Sequence, residues 1–79
     1  MKRYKNLSGN AGVTAYETNR NSINVEFNKQ AVYTYDKSGV GASNLKTMQQ
    51  RAKTGKGLST LIATNPTVRE GFTRRRGAK

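Results

Sequence analysis

Ile23-Asn24-Val25-Glu26-Phe27 alternates apolar and polar residues with a period of two, and Val32-Tyr33-Thr34-Tyr35 follows with the same β-branched and aromatic character. A period of two is the mark of a half-buried strand, because successive side chains point to opposite faces of a sheet. Upstream, Val13 to Thr18 forms a third such run, and the polar stretches Thr18 to Asn21 and Asn28 to Gln30 separate the three at hairpin length. Asn in each connector adopts left-handed backbone angles at little cost. The three runs predict an antiparallel β-meander.

Beyond the turn-rich Asp36-Lys37-Ser38-Gly39-Val40-Gly41 the period changes. From about Ala42 to Lys53, Leu45, Met48 and Ala52 share one helical stripe, while Lys46, Gln50 and Lys53 gather on the other side. Ser43 reads as the N-cap of this helix and Gly55 as its C-terminal stop. A second short helix is predicted from about Leu58 to Thr64, with Leu58, Leu61 and Ile62 on its apolar face. Asn65-Pro66 has the order of a cap followed by Pro at the first helical position, which predicts one more helical turn carrying Val68 and Phe72. The fold class is therefore α+β: a three-stranded antiparallel β-meander followed by two or three short helices packed on one face. Residues 1–12 read as a basic, Gly-rich N-terminal arm and 13–72 as the single domain. Residues 73–79, with nothing to bury, read as a disordered basic tail.

The charge balance points to the partner. Fifteen Lys and Arg stand against four Asp and Glu, a formal net charge of +11 over 79 residues, with no Cys and no His. From Lys46 onward nine bases face a single acid, Glu70. Such a surplus attracts polyanions by neutralising phosphates and releasing their counterions. The absence of Cys and His removes thiolate nucleophiles, zinc-cysteine sites and the usual imidazole base together, so the expectation is no enzyme, no metal and no cofactor. Apolar residues are 33% of the chain and never run long enough for a membrane span or a signal-peptide core, which predicts a cytoplasmic protein without a membrane partner. A chain this short buries little surface, and a homo-oligomer would add to it.

Several residue runs have a familiar pattern: Ser8-Gly9-Asn10 with Gly12-Val13, then Ala15-Tyr16-Glu17, Ile23-x-Val25-Glu26-Phe27 and Val32-Tyr33-x-Tyr35. Met48, Ala52 and Gly55-x-Gly57-Leu58 followed by Ile62 continue it. Together they resemble the KTSC domain, a small domain named after the C-terminal region of certain lysyl-tRNA synthetases and also found alone in bacterial and phage proteins. The resemblance implies a β-meander followed by helices, a bacterial or phage setting and a link to nucleic acid, with no activity or site residues to carry over. Two places depart from the family pattern. Ser38-Gly39-Val40-Gly41 stands where Val-Pro often follows the third strand, and Leu58-Ser59 replaces the Phe-Asn usual after the later glycine.

The candidate phosphate contacts are Lys46, Gln50, Arg51, Lys53 and Lys56 along the basic helix face and its glycine loop, with Arg74, Arg75 and Arg76 in the tail. Two glycine loops can present backbone amides to an anion: Ser8, Gly9, Asn10 and Gly12 in the first, Gly55 and Gly57 in the second. Tyr33 and Tyr35, two apart on one strand, share a face and read either as a core pair or as a stacking platform for bases, and Tyr4 in the arm reads as a free stacker. Glu17, Glu26, Asp36 and Glu70 have no spacing that makes a metal or acid–base pair and read as surface compensation. The leading expectation is a non-enzymatic module binding DNA or RNA through the phosphate backbone with little sequence specificity. Its alternative is a small protein that binds a host protein or a phosphorylated small molecule, as an inhibitor or a nucleotide sponge.

Overall fold

The computed structural model describes residues 1–7 and 12–77. The chain runs β1 (Lys2–Arg3), β2 (Val13–Asn19), β3 (Ser22–Phe27), β4 (Ala31–Asp36), α1 (Lys37–Val40), α2 (Ala42–Thr54), α3 (Leu58–Thr64), α4 (Pro66–Arg69) and β5 (Phe72–Gly77). All strand pairs are antiparallel, and the sheet order follows the chain order from β1 to β5. The α+β class is as expected, and the meander has five strands rather than three.

Register decides which side chains face the helices. Ile23 pairs with Tyr35, Val25 with both Tyr33 and Tyr16, so these five residues share one face. Ile23 and Val25 are fully buried there in one cluster with Leu45 and Met48 of α2, Leu58 and Ile62 of α3 and Val68 of α4. Each such aliphatic side chain contributes about 1.5–3 kcal/mol by leaving water. The opposite face has no helix on it and carries a polar network: Thr34 Oγ1 donates to Asn24 Oδ1 at 2.6 Å, and Asn24 Nδ2 donates to Glu17 Oε1 at 3.2 Å. The ladder of β2 with β3 shifts register between Val13 and Ala15. The intervening Thr14 hydroxyl donates to Glu26 Oε1 at 2.8 Å, which holds the bulge to its partner strand.

The turns follow from residue chemistry. Asn28 and Lys29 both take positive φ in the three-residue connection of β3 to β4, where Asn bears that conformation more readily than Lys. Asp36 caps α1, accepting from the Gly39 amide at 2.9 Å and the Ser38 hydroxyl at 2.7 Å. The Asn65 side chain caps α4 by accepting from the Thr67 and Val68 amides, with Pro66 at the first helical position as the sequence predicted. The N-cap of α2 is Gly41 rather than Ser43, and no side chain caps that end. Gly55 closes α2 at φ +80, and a Cβ there would collide with the Cβ of Lys5. Gln49 ties the helix to the tip of the β2–β3 hairpin, its Nε2 donating to the carbonyls of Asn19 at 2.8 Å and Ser22 at 3.0 Å.

Both chain ends differ from expectation. In the arm, Lys2 pairs with Tyr16 and Arg3 with Ala15, and the Tyr4 amide continues the ladder to the Thr14 carbonyl at 3.0 Å. Tyr4 is 3% exposed, so it is a core residue and not a free stacker. Its phenol ring fills apolar space under α3, a stronger pull on the arm than the glycines around it are a deterrent. In the tail, Phe72–Gly77 pairs with β4. Without it, β4 would leave Tyr33 and Tyr35 at a bare edge; with it, the Phe72 ring lies 4.9 Å from Tyr33 and 6.4 Å from Tyr35, edge-on to both. Phe72 is consequently in a strand and not in the helical turn of Val68. Ala78 and Lys79, the end of the expected tail, lie outside the described residues.

Candidate nucleic-acid interface

The outer face of α2 is set by its inner face. Because Leu45, Met48 and Ala52 are buried, Lys46, Gln50 and Lys53 stand exposed on the side turned away from the sheet, and Lys56 is exposed in the loop that follows. Arg51 is only half-buried and has a structural bond: its Nη1 donates to the Gly57 carbonyl at 3.2 Å, bracing the loop. The N-terminal arm crosses the same loop. The Leu7 amide donates to the Gly55 carbonyl at 2.8 Å, and the Lys5 side chain lies against Gly55. Lys5 thus joins Arg51, Lys53 and Lys56 around one loop, a member that sequence spacing gave no means of placing.

The glycine loop itself is already bonded. The Leu58 amide donates to the Tyr4 hydroxyl at 3.2 Å, and the Gly57 carbonyl accepts from Arg51 and, at 3.0 Å, from the Leu61 amide. Gly55 and Gly57 therefore serve to stop one helix and start the next, with the amide best placed for an anion already taken. Of the other expected anion loop, Gly12 is described, and Ser8, Gly9 and Asn10 lie outside the described residues.

A second cluster sits at the β5 edge. Tyr33, Tyr35, Phe27 and Phe72 line an open cleft of about 440 Å³ between the sheet and the helices, with Ile62 from α3 and Arg69 from α4 on its far wall. Tyr33 is the hub: it meets Phe27 edge-on at 5.4 Å and stacks beside Tyr35 at 6.4 Å. The Arg75 guanidinium lies 5.6 Å from the Tyr33 ring centre, and its Nε donates to the Tyr33 hydroxyl at 2.9 Å. Burial, with the neighbouring Tyr33 adding to it, pushes the Tyr35 hydroxyl up to about 12. Tyr35 is thus core and Tyr33 half-core, half-cleft. Phe72, 40% exposed, is the aromatic ring most open to solvent there.

The expected phosphate-binding residues do not form one surface. Arg74 pairs with Thr34 and Arg76 with Val32, which puts both on the open face of the sheet, away from the Lys46, Gln50 and Lys53 stripe. Arg75 alternates with them and turns to the other face, against Tyr33. Alternation in a strand splits a run of three arginines in a way that a disordered tail would not. On that open face Arg3, Arg74 and Arg76 are matched by Glu17, Glu26 and Asp36, three bases to three acids. The Ser38 hydroxyl and the Gly39 amide hold the Asp36 carboxyl below the usual carboxylate range. The helical layer is different. Between Asp36 and Glu70 there is no acid, and Lys37, Lys46, Arg51, Lys53, Lys56 and Arg69 lie in that span. Among the described residues the one ion pair is exposed, Arg69 with Glu70 at 3.6 Å.

No helix among the described residues is long and apolar enough to cross a membrane, and none of their acidic side chains group as a metal site would require. Comparison with protein-family models, with curated proteins and with solved structures found no match to this chain. Of the described residues on which the expected KTSC resemblance rests, Val13, Tyr16, Val25, Met48, Ala52, Leu58 and Ile62 are buried, and Gly55 and Gly57 shape the loop.

Proposed function

We propose that this chain is a non-enzymatic module that binds nucleic acid through its phosphate backbone, with little sequence specificity. The observation that carries the reading is the segregation of charge: the helical layer has six bases and no acid before Glu70, whereas three of the four acids lie on the open sheet face. Long, exposed Lys46, Lys53 and Lys56 side chains, with Lys5 beside them, give point charges that neutralise phosphates without reading bases. Arg75, on the opposite face of β5 from Arg74 and Arg76, adds a second contact at the sheet edge.

Fluorescence anisotropy of a labelled oligonucleotide at several salt concentrations tests this. With about five phosphates engaged, log affinity falls against log salt with a slope of roughly −4.5 for duplex and roughly −3.5 for single strand. Replacing Lys53 and Lys56 together by Gln lowers the slope by about 1.4–1.8, whatever the sequence of the probe. A flat salt response, or no binding in dilute buffer, overturns the reading.

A further inference from the structure

We infer that the aromatic cleft at the β5 edge receives one unpaired base together with its adjoining phosphate. This rests on the nucleic-acid reading above and deepens it, because it names single-stranded over duplex ligand. The cleft volume of about 440 Å³ falls in the range of small-ligand sites. Its walls have two chemistries that match a nucleotide and little else. Phe72, 40% exposed, supplies flat π surface, which any of the bases can stack on. Arg75 supplies charge beside the cleft, on the Tyr33 side: its Nε is committed to the Tyr33 hydroxyl, which holds the guanidinium carbon 5.6 Å from the ring centre and leaves the two terminal nitrogens for a phosphate. Arg69 adds a second guanidinium on the facing helix, its Nη1 donating to the Ala63 carbonyl at 3.3 Å and its Nη2 3.6 Å from the exposed Glu70 carboxylate, a surface pair that a phosphate can replace.

What lines the cleft also disfavours other occupants. No carboxylate is among the lining residues, so a basic peptide meets only like charge and a second copy of this +11 chain is repelled by its net charge. Asn28 and Gln30 at the rim are exposed amides that can donate to and accept from a base edge. A duplex keeps its bases stacked inside and cannot offer one to the cleft without extruding it.

The test compares wild type, Phe72→Leu and Phe72→Trp on three probes at fixed low salt: an oligothymidine strand, a duplex of the same length and free thymidine monophosphate. Leucine keeps apolar cover over β4 without an aromatic face, and tryptophan restores one. Phe72→Leu is expected to lower single-strand affinity roughly 10-fold, with Phe72→Trp near wild type, and to leave duplex affinity unchanged. Equal effects on both polymers, or none on either, overturn the cleft while the phosphate reading stands. Loss of all polymer binding in the wild type, with monophosphate still bound and sensitive to Phe72→Leu, overturns the polymer reading while the ligand chemistry of the cleft stands. No binding of any probe overturns both.

Discussion

The hydroxyl of Tyr4 accepts a 3.2 Å hydrogen bond from the backbone amide of Leu58, across 54 positions of sequence. Both residues are buried, so the bond satisfies an amide at the start of α3 that no side chain caps. Tyr4→Phe keeps the ring and orphans the amide. It is expected to cost about 1–3 kcal/mol in urea unfolding. Tyr4→Ala also opens a cavity and is expected to cost roughly 3–5 kcal/mol. Unchanged stability of Tyr4→Phe would show that the amide has another partner.

Gly55 and Lys5 make the second junction of arm and loop. Gly55→Ala must hold a left-handed φ, at roughly 1–2 kcal/mol, and also push aside Lys5, whose Cα a new Cβ would approach to 3.3 Å. Gly41→Ala, at φ +90 and ψ 153, has nothing within 4 Å and meets only a backbone cost, of about 1–3 kcal/mol in a region that glycine alone readily adopts. In thermal melts, adding Lys5→Gly should recover part of the Gly55→Ala loss and none of the Gly41→Ala loss.

Gln49 is the latch between α2 and the β2–β3 hairpin. Gln49→Ala removes two side-chain bonds to Asn19 and Ser22, each of about 0.5–1.5 kcal/mol. Hydrogen exchange should quicken at the hairpin tip and in the first turns of α2 more than in β4. Uniform quickening would mean that the latch serves global stability only.

Tyr35 sets an alkaline limit. Its hydroxyl is pushed up from 10.0 to about 12 in the folded chain, so the folded state holds this proton more tightly than the unfolded one. The contribution is fully present below pH 10 and is lost as pH rises from 10 toward 12. Tyr35→Phe removes that slope. Denaturant midpoints across this window are expected to decline more steeply in the wild type than in the variant; parallel midpoints would show that the hydroxyl is exposed.

Much of the architecture was legible because its signals are local. The alternation of Ile23, Val25 and Phe27 requires only the two-residue period of a strand, and Asn65-Pro66 requires only the chemistry of a cap. The edges were not legible, because β1 and β5 are held by tertiary contacts that leave little trace in their own residues. Lys2-Arg3 and Arg74-Arg75-Arg76 look like solvated charge. What recruits them is elsewhere: the slot that Tyr4 fills under α3, and the aromatic edge of β4 that Phe72 covers. The basic face was half legible. Helical spacing placed Lys46, Gln50 and Lys53 on one stripe, as found, but gave no reason to split Arg75 from Arg74 and Arg76, since that division exists only once the segment is a strand. Phe72 beside three arginines was the available hint that the segment had something to bury.

The even match of Arg3, Arg74 and Arg76 with Glu17, Glu26 and Asp36 gives the molecule a weak side and a strong side. A polyanion approaching the sheet feels a weaker pull than one approaching the helices, so the field exerts a torque that turns the protein before the two touch. Raising ionic strength shortens the reach of that torque. Encounter would then become slower and less selective in orientation before the final complex loses any of its short-range contacts.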